Sequence, residues 1–221
     1  MSWTEQPIFF LDFEGSRGSG IVEYGMVALQ GGRVIETKTR LCGPTGPVRP
    51  EDIIVHGLYP DMLAGSALLS EDWEAFAGWR QRGPFAAHYA GVENSLLKSV
   101  WPYPRISPDF ARPGERLVEW GPWIDSARLI SQLHPGHNSG NLRALIVATG
   151  LQAELDELAL RHCPAGRRGY HAALYDALAG ALLLAFLARD PRFAPLSLAR
   201  ILALSTLDPG KRADFLQGRL L

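Results

Sequence analysis

The apolar run Ile8-Phe9-Phe10-Leu11 continues directly into Asp12-Phe13-Glu14. So short and hydrophobic a stretch reads as a buried strand. On a strand, residues i and i+2 face the same way with their Cα atoms roughly 7 Å apart. Asp12 and Glu14 therefore project together beside a hydrophobic core. Two anionic side chains in that setting repel each other and are costly to desolvate. A divalent cation removes both costs, so a chain that folds around this strand is expected to fold around metal ions.

The 221 residues suffice for one sizeable α/β domain. With 47% hydrophobic and 20% charged residues the composition is that of a globular protein, and no apolar run reaches the ~18–20 residues that span a bilayer. The stretch Met1 to Pro7 lacks the basic opening and small-residue cleavage site of a signal peptide. Two cysteines, Cys42 and Cys163, make no disulfide framework. A cytoplasmic enzyme is the expectation. The net charge of -1 argues against a protein that coats nucleic acid non-specifically. It leaves room for one that takes a strand end into a local site. The cationic residues are biased towards arginine, whose planar fork suits phosphate, although genomic base composition produces the same bias.

Punctuation along the chain divides it into elements. After the Gly15 to Gly20 turn, two strand-like segments, Ile21 to Gln30 and Arg33 to Leu41, flank Gly31-Gly32, a strong hairpin signal. Gly43 to Pro50 is a loop. Ser70 is the expected N-cap of a helix running to about Arg82, with Glu71 and Asp72 in its first turn. Phe85 to His88 reads as a short buried strand leading into the helix that carries Glu93. The proline-rich Trp101 to Pro113 is a long loop. A strand around Trp120 to Asp125 precedes a helix over Ser126 to Leu133. Helices follow from Asn141 to Gly150, over Gln152 to His162, and from His171 to about Ala188, where Asp190-Pro191 breaks the run. Two short terminal helices, Leu196 to Leu204 and Pro209 to Leu220, complete the chain. The pattern predicts a mixed five-stranded sheet covered by helices, with a domain over 1–190 and a helical C-terminal extension over 191–221.

The chemistry concentrates in a few residues. His171 and Asp176 are five apart, so the histidine can hang over a site from the loop while the aspartate points in from the helix. That division suits a mobile general base beside a fixed metal ligand. Holding two divalent ions takes a fourth carboxylate, and Glu93 is the candidate. The expected ligand set is Asp12, Glu14, Glu93 and Asp176 around two hard cations, Mg²⁺ or Mn²⁺. Such a pair stabilises the attacking and leaving oxygens of an in-line phosphodiester displacement.

Leu11-Asp12-Phe13-Glu14, then Phe85-Ala86-Ala87-His88 through Glu93, then Tyr170-His171-Ala172-Ala173-Leu174-Tyr175-Asp176 together resemble the three motifs of the DEDD superfamily of 3′–5′ exonucleases. The histidine in the last motif places the resemblance in the DEDDh branch, which includes the proofreading subunit of bacterial replicative polymerase, ribonuclease T and oligoribonuclease. It spans about residues 7 to 188, and its motifs are specific because they occur in order. It implies a ribonuclease-H-like fold, release of nucleoside 5′-monophosphates from single-stranded DNA or RNA 3′ ends, and His171 as general base. It also implies substrate contacts. Phe13 would offer its backbone or ring edge to the terminal nucleotide, Leu58 would wedge against the last base, and His56 would lie near the sugar or phosphate. His88 belongs to the same substrate set, and Arg167 and Arg168 are placed to attract phosphate. One departure stands out, because the second motif normally supplies aspartate where this chain has Glu93.

Blander alternatives remain open. Leu58 can be core, Asp125 can cap the following helix or support the site, and Arg167-Arg168 can be an ordinary exposed pair. His134, His137, His162 and Cys163 are poorly spaced for zinc. The different-class alternative is a catalytically weakened or inactive nucleic-acid-binding module on the same fold, with Glu93 as the sign of decay. No polymerase-binding segment is indicated. The terminal helices are expected either to pack on the domain or to form a homodimer contact.

Overall fold

The computed structural model describes residues 2–137 and 140–217. The chain opens with β1 (Ile8–Ser16), β2 (Gly20–Gln30) and β3 (Arg33–Leu41), followed by α1 (Pro50–His56), α2 (Pro60–Leu63) and α3 (Trp73–Arg82). Then come β4 (Phe85–Ala87), α4 (Ala90–Val100), β5 (Ser107–Pro108), β6 (Arg116–Leu117) and β7 (Ile124–Asp125). Helices α5 (Ser126–Leu133), α6 (Leu142–Ala148), α7 (Gln152–His162), α8 (Ala173–Arg189), α9 (Leu198–Leu204) and α10 (Pro209–Gln217) follow. The main sheet has the order β3-β2-β1-β4-β7. β1 runs antiparallel to β2 and parallel to β4, and β4 runs parallel to β7. This is the predicted mixed five-stranded sheet. Both residues of the Gly31-Gly32 loop have positive φ, as a tight hairpin turn of matching twist requires.

Alternation along β1 and β2 sorts the core into two layers. Ile8 and Phe10 of β1, with Val27 and Leu29 of β2, face the layer built on α8. Phe9, Leu11 and Phe13, with Tyr24, Met26 and Ala28, face the layer built on α3 and α4, where Phe76, Trp79, Leu97 and Trp120 pack. Almost all of α8 is buried, so it is the central helix of its layer. Phe10 presses its ring against Gly180, where a Cβ would lie 2.0 Å from the ring tip. At the N-terminal end of the helix, Gly25 of β2 lies under Ala173 so closely that a Cβ would sit 2.3 Å from its backbone.

Several boundaries differ from expectation. Ser70 is no α-helical N-cap: it lies inside a 3-10 turn over Leu69–Asp72, and α3 begins at Trp73. There Glu71 accepts the Leu68 N–H at 3.2 Å. The long proline-rich loop is tied down by pairing of β5 with β6 and by Arg80. That fully buried guanidinium donates to the carbonyls of Pro108, Glu119, Trp120 and Gly121. Trp120 itself lies outside the sheet, packed on Trp73, Phe85 and Trp101, so the last strand is shorter than predicted. α8 starts two residues after His171. α9 buries Leu198, Ile201 and Leu202 in the α8 layer. The predicted end of the last helix at Leu220 lies outside the described residues. Among the described residues no helix is long and apolar enough to cross a membrane.

Candidate metal centre

Strand parity decides which side chains meet. Asp12 and Glu14 share the face of Ile8 and Phe10, the face covered by α8. The parallel strands β1, β4 and β7 end at one edge of the sheet, where ligand sites form in open α/β sheets. Three segments converge there. β1 supplies Asp12 and Glu14. After β4, Tyr89 turns the chain with φ 62 into α4, whose first turn carries Glu93. The close approach of α8 to Gly25 brings Asp176, in its own first turn, over Asp12, which pairs with Gly25 across the strands.

The four carboxylates crowd one another. Burial first, then Glu93, Asp176, Glu14 and Glu23, raises the Asp12 carboxyl well above its ordinary value. Glu14 is raised by burial, then by Asp176 and Glu23, with Arg167 opposing. Glu93 is raised by burial and then by Glu14, against a hydrogen bond from the Phe13 N–H. Asp176 is raised by burial, against the His171 N–H and Arg167. Glu93 Oε2 and Asp176 Oδ1 are buried without a hydrogen-bond partner, which costs free energy for any polar group and more for a charged one. Glu14, His171 and Asp176 each offer a ligand atom within 4.8 Å of the others. Oxygen-rich, orphaned and mutually repelling, the cluster has the donor chemistry that hard divalent cations take.

His171 stands outside α8 in the left-handed region, φ 64, with its ring exposed. Its peptide is fixed from both sides. Its N–H donates to Asp176 Oδ2 at 2.8 Å, and its carbonyl accepts from Arg167 Nη2 at 2.9 Å. Arg167 also donates to the His56 carbonyl at 2.7 Å and makes a two-pronged ion pair with Glu23. Its fork is thus spent within the protein rather than presented to phosphate. Arg168 is exposed and leans on the C-terminal end of α7 through the Leu160 and Cys163 carbonyls.

The other residues expected at substrate are distributed as follows. Leu58 is fully buried, in a small cluster with Val22 and Leu63, so it presents no surface to a base; near it in sequence the hydrophobic residues Ile54, Val55, Tyr59 and Met62 are exposed. The Phe13 ring packs on Phe76 in the opposite layer, leaving its backbone toward Glu93. His56 is buried, its Nδ1 accepting the Leu58 N–H at 3.0 Å while Nε2 has no partner. Both ring nitrogens of His88 are engaged, with Ser126 Oγ at 2.9 Å and the Gly140 carbonyl at 3.1 Å, so it ties β4 to α5 and the segment before α6. Asp125 caps α5 through the Arg128 N–H and accepts the Ala90 N–H at the start of α4. His162 lies against Thr37 while His134 lies near Asp190; no zinc cluster forms from them among the described residues.

Glu23 is the residue that motif reading missed. It is buried, directly opposite Glu14 in the β1–β2 register, and its carboxylate also accepts the Ala173 N–H at 3.0 Å. The signal was present: Glu23 is the lone charge in the apolar run Ile21 to Leu29, and period-two alternation puts it on the face of Val27. Beside the centre, a groove of about 990 Å³ extends from Asp176 and His171 past Tyr170 and Arg143 to His88 and Tyr89.

Solved structures share this fold. Exonuclease X, in complex with 5′ overhanging duplex DNA, is 23% identical with a TM-score of 0.64, over 88% of this chain and 99% of that one. Exonuclease I from Methylocaldum szegediense is 19% identical with a TM-score of 0.60, over 85% of this chain but 42% of that one. The nuclease domain of 3′hExo, a DEDDh family member bound to rAMP, is 12% identical with a TM-score of 0.57, over 85% of this chain and 94% of that one. No family model and no curated protein matches the sequence. The ribonuclease-H-like α/β fold expected from the motifs is the fold observed.

Proposed function

We propose that the chain is a metal-dependent 3′–5′ exonuclease that shortens single-stranded DNA or RNA and releases nucleoside 5′-monophosphates. The observation that carries this reading is the convergence of Asp12, Glu14, Glu93 and Asp176 from β1, α4 and α8 into one crowded, partly orphaned cluster. His171 stands at its rim. Likeness of fold to exonucleases supports it.

The four carboxylates would hold two Mg²⁺ or Mn²⁺ ions, which when bound acidify water and stabilise charge on the phosphate oxygens. The remaining work falls to the chain's own groups. His171, exposed and, among the described residues, anchored through its backbone, takes the proton of the attacking water at a ring nitrogen. The Phe13 N–H orients Glu93, and the His171 N–H orients Asp176. Val55 and Tyr59, two of the exposed hydrophobic residues near buried Leu58 in sequence, offer an apolar shelf to the terminal base, which stacking recognises without much sequence preference. The longer arm of Glu93 fills the aspartate position of the second motif, held by the Phe13 N–H.

Digestion of 5′-labelled single-stranded DNA and RNA with Mg²⁺ or Mn²⁺, beside Asp12→Ala, tests the proposal. The expected result is a ladder shortening from the 3′ end that is absent in the variant. Absence of cleavage with either cation, together with retained strand binding, would replace this reading with a non-catalytic binding module.

A further inference from the structure

We propose that Glu23 and Arg167 are positioning residues that clamp the 168–172 loop and hold His171 over the metal centre; this rests on the hydrolytic reading for its catalytic consequence. One guanidinium joins three segments distant in sequence. It pairs with Glu23 of β2, 144 positions away, and caps α1 at the His56 carbonyl. It also holds the His171 carbonyl. Glu23 closes the arrangement from the other side by accepting the Ala173 N–H at the start of α8. Both partners are largely sequestered, with Glu23 side-chain exposure at 3% and Arg167 at 17%.

The need for such a clamp follows from the backbone. His171 has φ 64, a conformation that a residue with a Cβ adopts at a cost of order 1–3 kcal/mol and keeps only where its surroundings impose it. Its ring is exposed, and no side-chain hydrogen bond to it is seen among the described residues. Its position is therefore set through the peptide, by Asp176 at the N–H and Arg167 at the carbonyl. Because Arg167 also holds the end of α1, the clamp fixes His171 relative to Val55 and Tyr59, the shelf assigned to the terminal base.

The test compares Arg167→Met, Glu23→Gln and His171→Ala in the full chain, with a single-stranded DNA oligonucleotide and Mn²⁺. Positioning predicts that Arg167→Met and Glu23→Gln each lower kcat by about 10–100-fold, the range for residues that orient catalytic ligands. KM should stay near wild type. Arg167→Met should cost nothing further in the His171→Ala background, because residues acting as a unit are not additive. A raised KM with a weaker salt dependence would instead make Arg167 a phosphate contact and overturn the clamp, as would full additivity or an unchanged kcat.

Amide hydrogen exchange of the cation-free protein reads the clamp without hydrolysis. Exchange across 168–173 should quicken in both Arg167→Met and Glu23→Gln while the β1–β2 amides stay protected. If the wild type cleaves nothing, the hydrolytic reading falls and exchange alone decides: faster exchange upholds the clamp, unchanged exchange overturns it.

Discussion

Glu93 tests how individual side chains share the work of stability and function. Its carboxylate is buried, one oxygen has no partner, and Glu14 repels it. Above about pH 8, where burial and Glu14 no longer keep Glu93 protonated, Glu93→Gln removes a buried charge and adds donors for the neighbouring acids. We expect it to raise the melting temperature in chelator by roughly 2–4 °C, corresponding to about 1 kcal/mol for a chain of this size. The same change should abolish the stabilisation given by Mn²⁺ and lower hydrolysis at least about 10-fold. Glu93→Asp keeps the charge but withdraws it by one methylene from the Phe13 N–H. It is expected to retain hydrolysis and alter the Mg²⁺ to Mn²⁺ preference, read as the ratio of rates in the two cations. His171→Ala removes the proposed proton acceptor, and kcat should fall by about 10²–10⁴-fold with cation-induced stabilisation largely retained.

Between secondary-structure elements, close approach and buried hydrogen bonding hold the site's frame. α8 reaches Asp12 only because Gly25 has no side chain. Gly25→Ala places a Cβ 2.3 Å from the Ala173 carbonyl, so the helix must shift. A loss of about 1–3 kcal/mol is expected, as for overpacked cores, and a fall in hydrolysis should accompany it because Asp176 moves with the helix. Arg80 plays the equivalent part on the opposite layer, where burial pulls its guanidinium down to about 10 against the field of Asp109. Arg80→Met strands the carbonyls that it satisfies. We expect a destabilisation of at least about 3 kcal/mol, measured by denaturant unfolding. α5 and α7 match their predicted spans because local signals bound them: Asp125 caps α5 and Pro135 follows it, while Gly150 precedes α7 and Pro164 follows it. The long loop did not reveal β5 and β6, since a two-residue pairing has no periodicity to detect and depends on Arg80 from another element.

For the protein as a unit, the crowded acids make stability depend on pH and on cations together. Asp12, Glu14, Glu93 and Asp176 all have folded-state values raised above the ordinary carboxylate range of about 4. An acid shifted upward binds its proton more tightly in the folded state. Its stabilising contribution is complete below the unfolded value and is lost as pH rises through the folded one. Without cations, melting temperature should therefore fall between about pH 5 and about pH 8 more steeply in wild type than in Glu93→Gln. A cation that binds only the folded state adds RT ln(1 + [L]/Kd) and competes with those protons. Its stabilisation should accordingly be larger at the alkaline end, and scanning calorimetry with and without Mn²⁺ reads both effects.

Short-range physics made much of this protein legible in advance. Period-two alternation set Asp12 and Glu14 on one face, paired glycines closed the β2–β3 hairpin, and ordered motifs singled out Glu93, His171 and Asp176, which the fold brings near that face and which the proposed function uses. What alternation and motifs could not reveal was the environment of each side chain, because desolvation and pairing are set by groups far away along the chain. Leu58 reads as a wedge by position, yet it is core because Val22 and Leu63 close over it. Arg167 reads as a free cation, yet its charge and donors are consumed by Glu23, His56 and His171. His88 lies in the second motif, yet it bridges Ser126 and Gly140. A carboxylate or guanidinium carries the same charge in any sequence; whether that charge meets solvent, substrate or a buried partner depends on which distant segments the fold brings against it.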